Sequence, residues 1–276
     1  LKESVILFRK DLATESEFNI AQQHFKVYQY RSELPSDSLV VGRYSVLPNY
    51  NELEIDLHNN NSSLINSYKQ HQFVADITQW AACIPMYTPT TWSNVQEIPI
   101  RHDGPFVVKG RTNSRKHSWS TRMFAPNRAQ LGTVIGSLLD DALISDQGIV
   151  IREYVPLEKI LDGINGLPIT YEFRVFVCNN QIIGHGFYWS SYAEQVKEIL
   201  GYIPNLNQSK YSKGLDLCYK VIEELSINPN CPRFYTIDIA KDSIGNWIVI
   251  ELNDGQMSGL SEVDMEMFYK GLKANL

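Results

Sequence analysis

The chain has 276 residues, 43% of them apolar and 20% charged, with a formal net charge of −6 at pH 7; this is enough for one or two domains with a real core. The acidic balance argues against a non-specific nucleic-acid binder, and no apolar run approaches the ~18 residues that a membrane span needs. Cys83, Cys178, Cys218 and Cys231 are scattered and the histidines show no ligand spacing, which fits a reducing, cytoplasmic setting better than a disulfide framework or a zinc site.

The opening stretch, residues 1–10, has too short an apolar core for a signal peptide, and the absence of an initial Met implies a numbered chain that starts inside its gene product. Residues 5–8 read as a strand. Residues 14–24 predict a helix with Phe18 and Ala21 on one side, Thr14 as N-cap and Glu17 three residues on. Further strands are expected over 27–30 and 39–44, and this β-α-β alternation predicts a small parallel α/β unit. Arg43, Tyr44 and Ser45 are either a structural turn or part of a substrate pocket. A short helix is expected over 49–58, and another over about 67–82 with Phe73, Val74, Ile77, Trp80 and Ala81 on one face. Pro85, Pro89 and Pro99 punctuate the connection that follows, and the main domain boundary is placed there.

Residues 106–109 read as a short buried strand ending in a cation, Lys109. The loop 110–121 is rich in hydroxyls and positive charge. Arg111, Arg115 and Lys116 can present cations to phosphate there; the alternative is a solvated basic surface. A helix is expected over 126–143, with Asn127 near its cap, and a strand over 148–156, closed by Pro156. Residues 171–177 and 182–189 form a hairpin through Asn179 and Asn180. Glu172 and Arg174 share a face of its first strand; the planar guanidinium suits phosphate oxygens, with a cross-strand salt bridge as the alternative. Residues 211–225 form an amphipathic helix, and a closing helix covers 262–272.

Residues 234–240 and 247–252 read as two strands joined by a tight turn. Glu251 and Asn253 point the same way, and if the strands pair, Asp238 shares their face. Two carboxylates and an amide oxygen at one strand end suit a nucleotide-bound Mg²⁺, although an acidic hairpin end in solvent has the same spacing. The apolar frame, Ile237 and Ile239 around Asp238 and Ile250 and Leu252 around Glu251, favours ligands held at the edge of a core.

Asp238, Glu251 thirteen residues on and Asn253 two further resemble the metal-binding signature of the ATP-grasp ligases. The runs 251–259 and 42–48 resemble a small ATP-grasp family of bacteria and their phages. The resemblance implies an α/β (α+β) chain with an ATP-grasp fold: a pre-ATP-grasp domain over residues 1–95 and an ATP-grasp domain over 96–276, with nucleotide and Mg²⁺ between two subdomains and a hinge near 153–156. It implies ATP-binding roles for Lys109 and, with less secure spacing, Lys69, whose other reading is an exposed helix lysine. The usual phosphate loop is glycine-rich; this one has only Gly110, so Arg111, Arg115 and Lys116 take over its work. Glu153, Tyr154 and Val155 become the adenine hinge, and Glu172 lies near the ribose. Asp238, Glu251 and Asn253 would hold two Mg²⁺ ions, with Mn²⁺ as a substitute. Lys109 and Arg174 would be catalytic, neutralising phosphates and stabilising the transferred phosphoryl group, and Arg43, Gln256, Met257 and Ser258 would face the carboxylate substrate.

The implied activity is ATP-dependent C–N ligation through an acyl phosphate, joining an amino acid to a small molecule, peptide or protein. The implied partners are ATP, a carboxylate, an amine and a second copy in a homodimer, with no nucleic acid and no membrane. A kinase on the same fold and a nucleotide-binding module without turnover are the alternatives.

Overall fold

The computed structural model describes residues 2–276; Leu1, in the opening stretch, lies outside them. Four parallel strands come first: β1 (Glu3–Phe8), β2 (Lys26–Tyr28), β3 (Ser38–Arg43) and β4 (Ser63–Leu64), in the order β2-β1-β3-β4. Two helices cover the two faces, as a parallel sheet requires. Ile6 and Phe8 pack against Phe18 and Ala21 of α1 (Glu15–His24), and Val5 and Leu7 pack against Leu53 and Leu57 of α2 (Tyr50–Asn59). Thr14 caps α1 by accepting the Glu17 N–H at 3.2 Å.

The single helix expected over 67–82 is broken. α3 (Tyr68–Ala75) stops at Asp76, which is extended (φ −92°, ψ 108°), and α4 (Ile77–Trp80) restarts there with the Asp76 carboxylate accepting the Thr78 N–H at 3.0 Å. A side chain that offers the backbone a local hydrogen bond competes with helix continuation.

A second sheet, ordered β5-β8-β6-β7, contains β5 (Thr91–Trp92), β6 (Phe106–Gly110), β7 (Phe124–Ala125) and β8 (Ile149–Glu153). α5 (Arg128–Leu139), capped by Asn127, and α6 (Ala142–Gln147) cover one of its faces. After a small hairpin, β9 (Lys159–Asp162) and β10 (Pro168–Thr170), the third sheet is antiparallel: β11 (Glu172–Cys178), β12 (Gln181–Phe187), β13 (Phe234–Lys241) and β14 (Trp247–Asp254), in the order β12-β11-β13-β14. Its first hairpin turns through Asn179 and Asn180, both at positive φ (47° and 62°), as a tight two-residue turn demands. The remaining helices are α7 (Ala193–Leu200), α8 (Lys213–Ser226) and α9 (Met265–Ala274). β5, β7, β9 and β10 hold two to four residues each, too few to show a period in sequence. No helix among the described residues is long and apolar enough to cross a membrane.

The third sheet is the hub. One face packs on α8, α3 and α4 through Phe173, Val175, Ile237, Ile239, Val249 and Leu252. The far end of the other face, with Phe176 and Phe234, shares a core with α9 and with Ile6 and Phe8 of the first sheet. Gly186 allows the chain entering α9 to lie on β12: a Cβ there would meet the Glu262 carbonyl carbon at 2.2 Å.

A buried charge cluster binds the first sheet to the loop beyond β14. Arg43 is 0% exposed. It donates from Nη2 to Glu17 Oε1 (2.7 Å) and from Nη1 to the carbonyls of Gly255 (2.7 Å) and Ser258 (3.1 Å), and it stacks on the Tyr44 and Phe268 rings. Tyr44 and Tyr269 donate to Glu17, both at 2.9 Å. Glu17 therefore anchors this cluster and contributes only its N–H to the α1 cap.

Removing one partner strands a buried charge. Arg43→Met and Glu17→Gln are each expected to cost about 3–5 kcal/mol, and the double variant less than their sum, in urea unfolding of all four proteins. Additive losses would mean that the two side chains do not form a unit.

Candidate active site

The site begins as a row of charges across the third sheet. Arg174 of β11 pairs in register with Asp238 of β13, and Asp238 with Glu251 of β14. Strict alternation would put Glu251 on the core face with Val249. A β-bulge prevents this: Asp238 opposes Glu251 while Ile239 opposes Val249, so Ile250 is the extra residue. A bulge re-aims the side chains beyond it. Val249 and Leu252 thus stay in the core while Glu251 and Asn253 look out.

Arg174 holds Asp238 in a bidentate pair, with both N···O distances at 2.8 Å, and donates from Nη1 to the Gly259 carbonyl at 2.9 Å. Lys109, at the end of β6 in the second sheet, reaches across to Glu251 Oε1. Lys116 donates to Tyr188 Oη at 2.8 Å and lies 3.7 Å from Glu172 Oε1. Arg152 of β8 donates to the Ile250 carbonyl (2.8 Å) and to Thr88 Oγ1 (2.6 Å). Lys109, Lys116, Arg152 and Arg174 thus crowd around Glu172, Asp238 and Glu251, an arrangement with positive charge to spare for an anion.

Two cavities meet at this row. The first, about 370 Å³, has apolar walls that include Val107, Trp119, Met123, Ile248 and Ile250. Glu153, Tyr154 and Val155 form its rim, and Lys109, Lys116, Glu172 and Glu251 form its polar end. The Val155 N–H makes no hydrogen bond among the described residues. The second cavity, about 780 Å³, is polar and is lined by Arg174, Asn253 and Ser258 on one side and by His71, Asp76 and Arg111 on the other. Glu251 and Ser114 line both.

Burial works against ionising Glu251, but Lys109 and Lys116 outweigh it and hold its carboxyl down at about 2. Glu172 shows the opposite balance: burial pushes it up to about 7 against the pull of Lys116, and Asp238 and Glu251 add to the rise. Glu172 Oε1 is a buried acceptor without a hydrogen-bond partner among the described residues. Such an orphan is costly unless a ligand supplies the donor.

The sequence-predicted residues divide between the cavities and elsewhere. Lys109, Lys116, Glu153, Tyr154, Val155 and Glu172 line the first cavity. Arg111, Arg174, Asn253, Met257 and Ser258 line the second, with Arg111 paired to Asp76. Lys69 is exposed on α3, outside both. Arg115 pairs with Asp141 at 2.7 Å, away from the cavities. Arg43 is buried in the cluster described above. Gln256 is 0% exposed and bridges the Gly42 N–H and Tyr50 Oη. Asp238 is 0% exposed, both its oxygens taken by Arg174. Sequence reading did not single out Arg152, Tyr188, His71 or Asp254. Arg152 carried a signal, as a cation within an otherwise apolar strand; the others had none.

Among the described residues no three His, Cys, Asp or Glu side chains gather as a metal cluster. The donor set nonetheless fits Mg²⁺, which prefers a few protein oxygens and leaves places for phosphate. Glu251 Oε2 and the Asn253 amide oxygen carry no hydrogen bond among the described residues, and both residues face the second cavity. Asp238 can join them only through lone pairs that Arg174 leaves open.

The family model of the ATP-grasp domain, R2K clade family 3, matches residues 97–272. Among solved structures, the fold is similar to the RimK domain protein ATP-grasp from Sphaerobacter thermophilus DSM 20745, at 12% identity and TM-score 0.55 over 98% of this chain and 99% of that one. It is similar to the ATP-grasp ligase PsnB complexed with a phosphomimetic variant of its minimal precursor, Mg and ADP, at 12% identity and TM-score 0.56 over 100% and 98%. D-cycloserine synthetase DcsG aligns at 10% identity and TM-score 0.58 over 98% and 99%. No curated protein matches.

Glu172 makes stability pH-dependent. Between the ordinary 4.5 and about 7 the unfolded chain loses this proton while the folded chain keeps it, so folding weakens as pH rises. The full loss is about 3 kcal/mol. In nucleotide-free urea unfolding, Glu172→Gln is therefore expected to gain about 2–3 kcal/mol on the wild type between pH 5 and pH 8. Parallel pH profiles would mean that Glu172 ionises normally.

Proposed function

The chain belongs to the ATP-grasp domain family of the R2K clade, family 3, and on that premise we propose that it is an ATP-dependent carboxylate–amine ligase working through an acyl phosphate. One observation carries the reading: an apolar cavity with a polar end adjoins a larger polar chamber, and Glu251 lies in the wall of both. A nucleotide needs the first kind of space. A second reactant, placed to receive its terminal phosphate, needs the second.

In this reading adenine lies between Val107, Met123, Ile248 and Ile250, with Glu153, Tyr154 and Val155 along its edge and the free Val155 N–H as a donor. The unpartnered Glu172 oxygen accepts from the ribose hydroxyls. Lys109 and Lys116 neutralise phosphate oxygens at the polar end, with Arg152 behind them. Asp238, Glu251 and Asn253 would hold Mg²⁺, which supplies charge neutralisation and alignment of the phosphates. Arg174, in the second chamber beside Asn253, contacts the phosphoryl group on its way to the substrate carboxylate. Phosphoryl transfer is chiefly positioning and charge stabilisation, so no protein nucleophile is required. Met257 and Ser258 contact the carboxylate substrate. Residues 1–95 and 96–276 are the two domains of this reading, with the hinge near 153–156.

The acceptor is an amino acid, a small molecule, a peptide or a protein. PsnB, captured with its precursor peptide, supports a peptide among these, and the volume of the second chamber leaves room for a peptide side chain.

The test is ADP formation from MgATP with pools of amino acids and short peptides. ADP is expected only with a carboxylate–amine pair, and Glu251→Gln is expected to lose about 100-fold or more, the several kcal/mol typical of a metal carboxylate. A stable phosphorylated end product, other than an acyl phosphate that hydroxylamine traps, would instead make the protein a kinase. Tight MgATP binding with no ADP from any pool, and none from protein acceptors tried next, would make it a binding module.

A further inference from the structure

The second chamber contains a side-chain pair that phosphoryl transfer does not use. His71, on α3, has Nδ1 at 3.2 Å from Asp254 Oδ2. Their side chains are 14% and 1% exposed. Asp254 is itself held by a full set of donors: Asn66 Nδ2 (2.8 Å) and the Gln256 N–H (2.9 Å) on Oδ1, and Tyr50 Oη (3.1 Å) on Oδ2. The imidazole lies beside the Tyr50 ring (5.0 Å between centroids) and nearly parallel to the Tyr68 ring (17°). Its orientation is therefore set on three sides. A carboxylate on Nδ1 fixes the tautomer and leaves Nε2 as the basic nitrogen. Nε2 carries no hydrogen bond among the described residues, and His71 lines the chamber that Arg174, Glu251 and Asn253 also line.

We propose that His71, positioned by Asp254, is the general base that deprotonates the attacking amine. This rests on the ligase reading of the same chamber. An amine near neutral pH is an ammonium with no lone pair to attack with. His71 Nε2 takes one proton from it. The freed lone pair then attacks the acyl-phosphate carbonyl carbon and forms the C–N bond. The C–O bond to phosphate breaks, its electron pair leaves with the phosphate, and the second nitrogen proton goes to that phosphate, giving the amide and hydrogen phosphate. His71 returns its proton to solvent.

The titratable and charged neighbours of the ring are Asp254 from β14, Tyr50 from α2 and Tyr68 from α3; Asp76, Arg111 and Glu251 line the same chamber. Of these side-chain types only imidazole ordinarily exchanges a proton near neutral pH. His71 also precedes residues 97–272, the part that the family model covers, so the assignment comes from this chain's own geometry.

The test compares two nucleophiles. Full-length protein with MgATP is given the twenty proteinogenic amino acids, mixed dipeptides and a tryptic digest of casein, and amide products are read by mass spectrometry. In parallel, hydroxylamine is added to trap acyl phosphate as hydroxamate; it is already unprotonated at neutral pH and needs no base. His71→Asn keeps a donor to Asp254 and removes Nε2. Amide formation by this variant at pH 7 is expected to fall about 100-fold or more, within the usual range for a general base, while hydroxamate formation falls less than about 5-fold. Without the base the variant depends on amine that is already unprotonated, so its amide formation is expected to recover as the pH is raised above ~8. MgADP binding and the thermal midpoint serve as folding controls. Equal losses with both nucleophiles, or amide formation within about 3-fold of wild type, would overturn the proposal. Wild-type protein that yields no hydroxamate from any pool would overturn the ligase reading and the base assignment with it.

Discussion

The ion pair between Lys109 and Glu251 ties the second sheet to the third at the polar end of the first cavity, beside the bond from Arg152 to the Ile250 carbonyl. It is one link in a longer chain of charge. Arg174 holds Asp238, Asp238 opposes Glu251, and Glu251 meets Lys109. Burying so many charges is sustainable only because each carboxylate has a cation or a dense set of donors nearby. The surplus of cations suits the site to a polyanion before one arrives.

The first sheet and its helices shape the second chamber at one remove. Arg43 and Glu17 form a buried knot that fixes the carbonyls of Gly255 and Ser258. That loop supplies Met257, Ser258 and Gly259 to the second chamber, and Gly259 in turn accepts from Arg174. α3 supplies the opposite wall, while its apolar face packs on the third sheet. The first cavity is thus built from the second and third sheets and the β9–β10 hairpin. The second chamber also needs α3 and the loop that the first sheet holds in place, so changes there can reshape it without touching the first cavity.

Much of the fold is legible residue by residue. Thr14 and Asn127 sit where a cap should, because a short side-chain acceptor satisfies a free N–H at the start of a helix. Asn179 and Asn180 mark their turn because few other residues tolerate positive φ twice in succession. The alternation of Phe173, Val175 and Val177 with Glu172, Arg174 and Phe176 separates two faces of β11. The break at Asp76 is not legible, since the apolar period runs through it; the carboxylate is drawn to the Thr78 N–H and to Arg111, whose position only the folded chain defines.

The sequence by itself determined the identity of the acids, their placement on paired strands and the cation that ends β6, because periodicity and turn chemistry are local. Tertiary structure decided which of them meet. The bulge at Ile250 set the face of Glu251, since register depends on the partner strand as well as on the strand itself. Arg43 was drawn into the interior by Glu17. His71 and Asp254, 183 residues apart, became a pair only when α3 packed on β14. A distance between residues remote in sequence is a property of packing, and no local pattern encodes it.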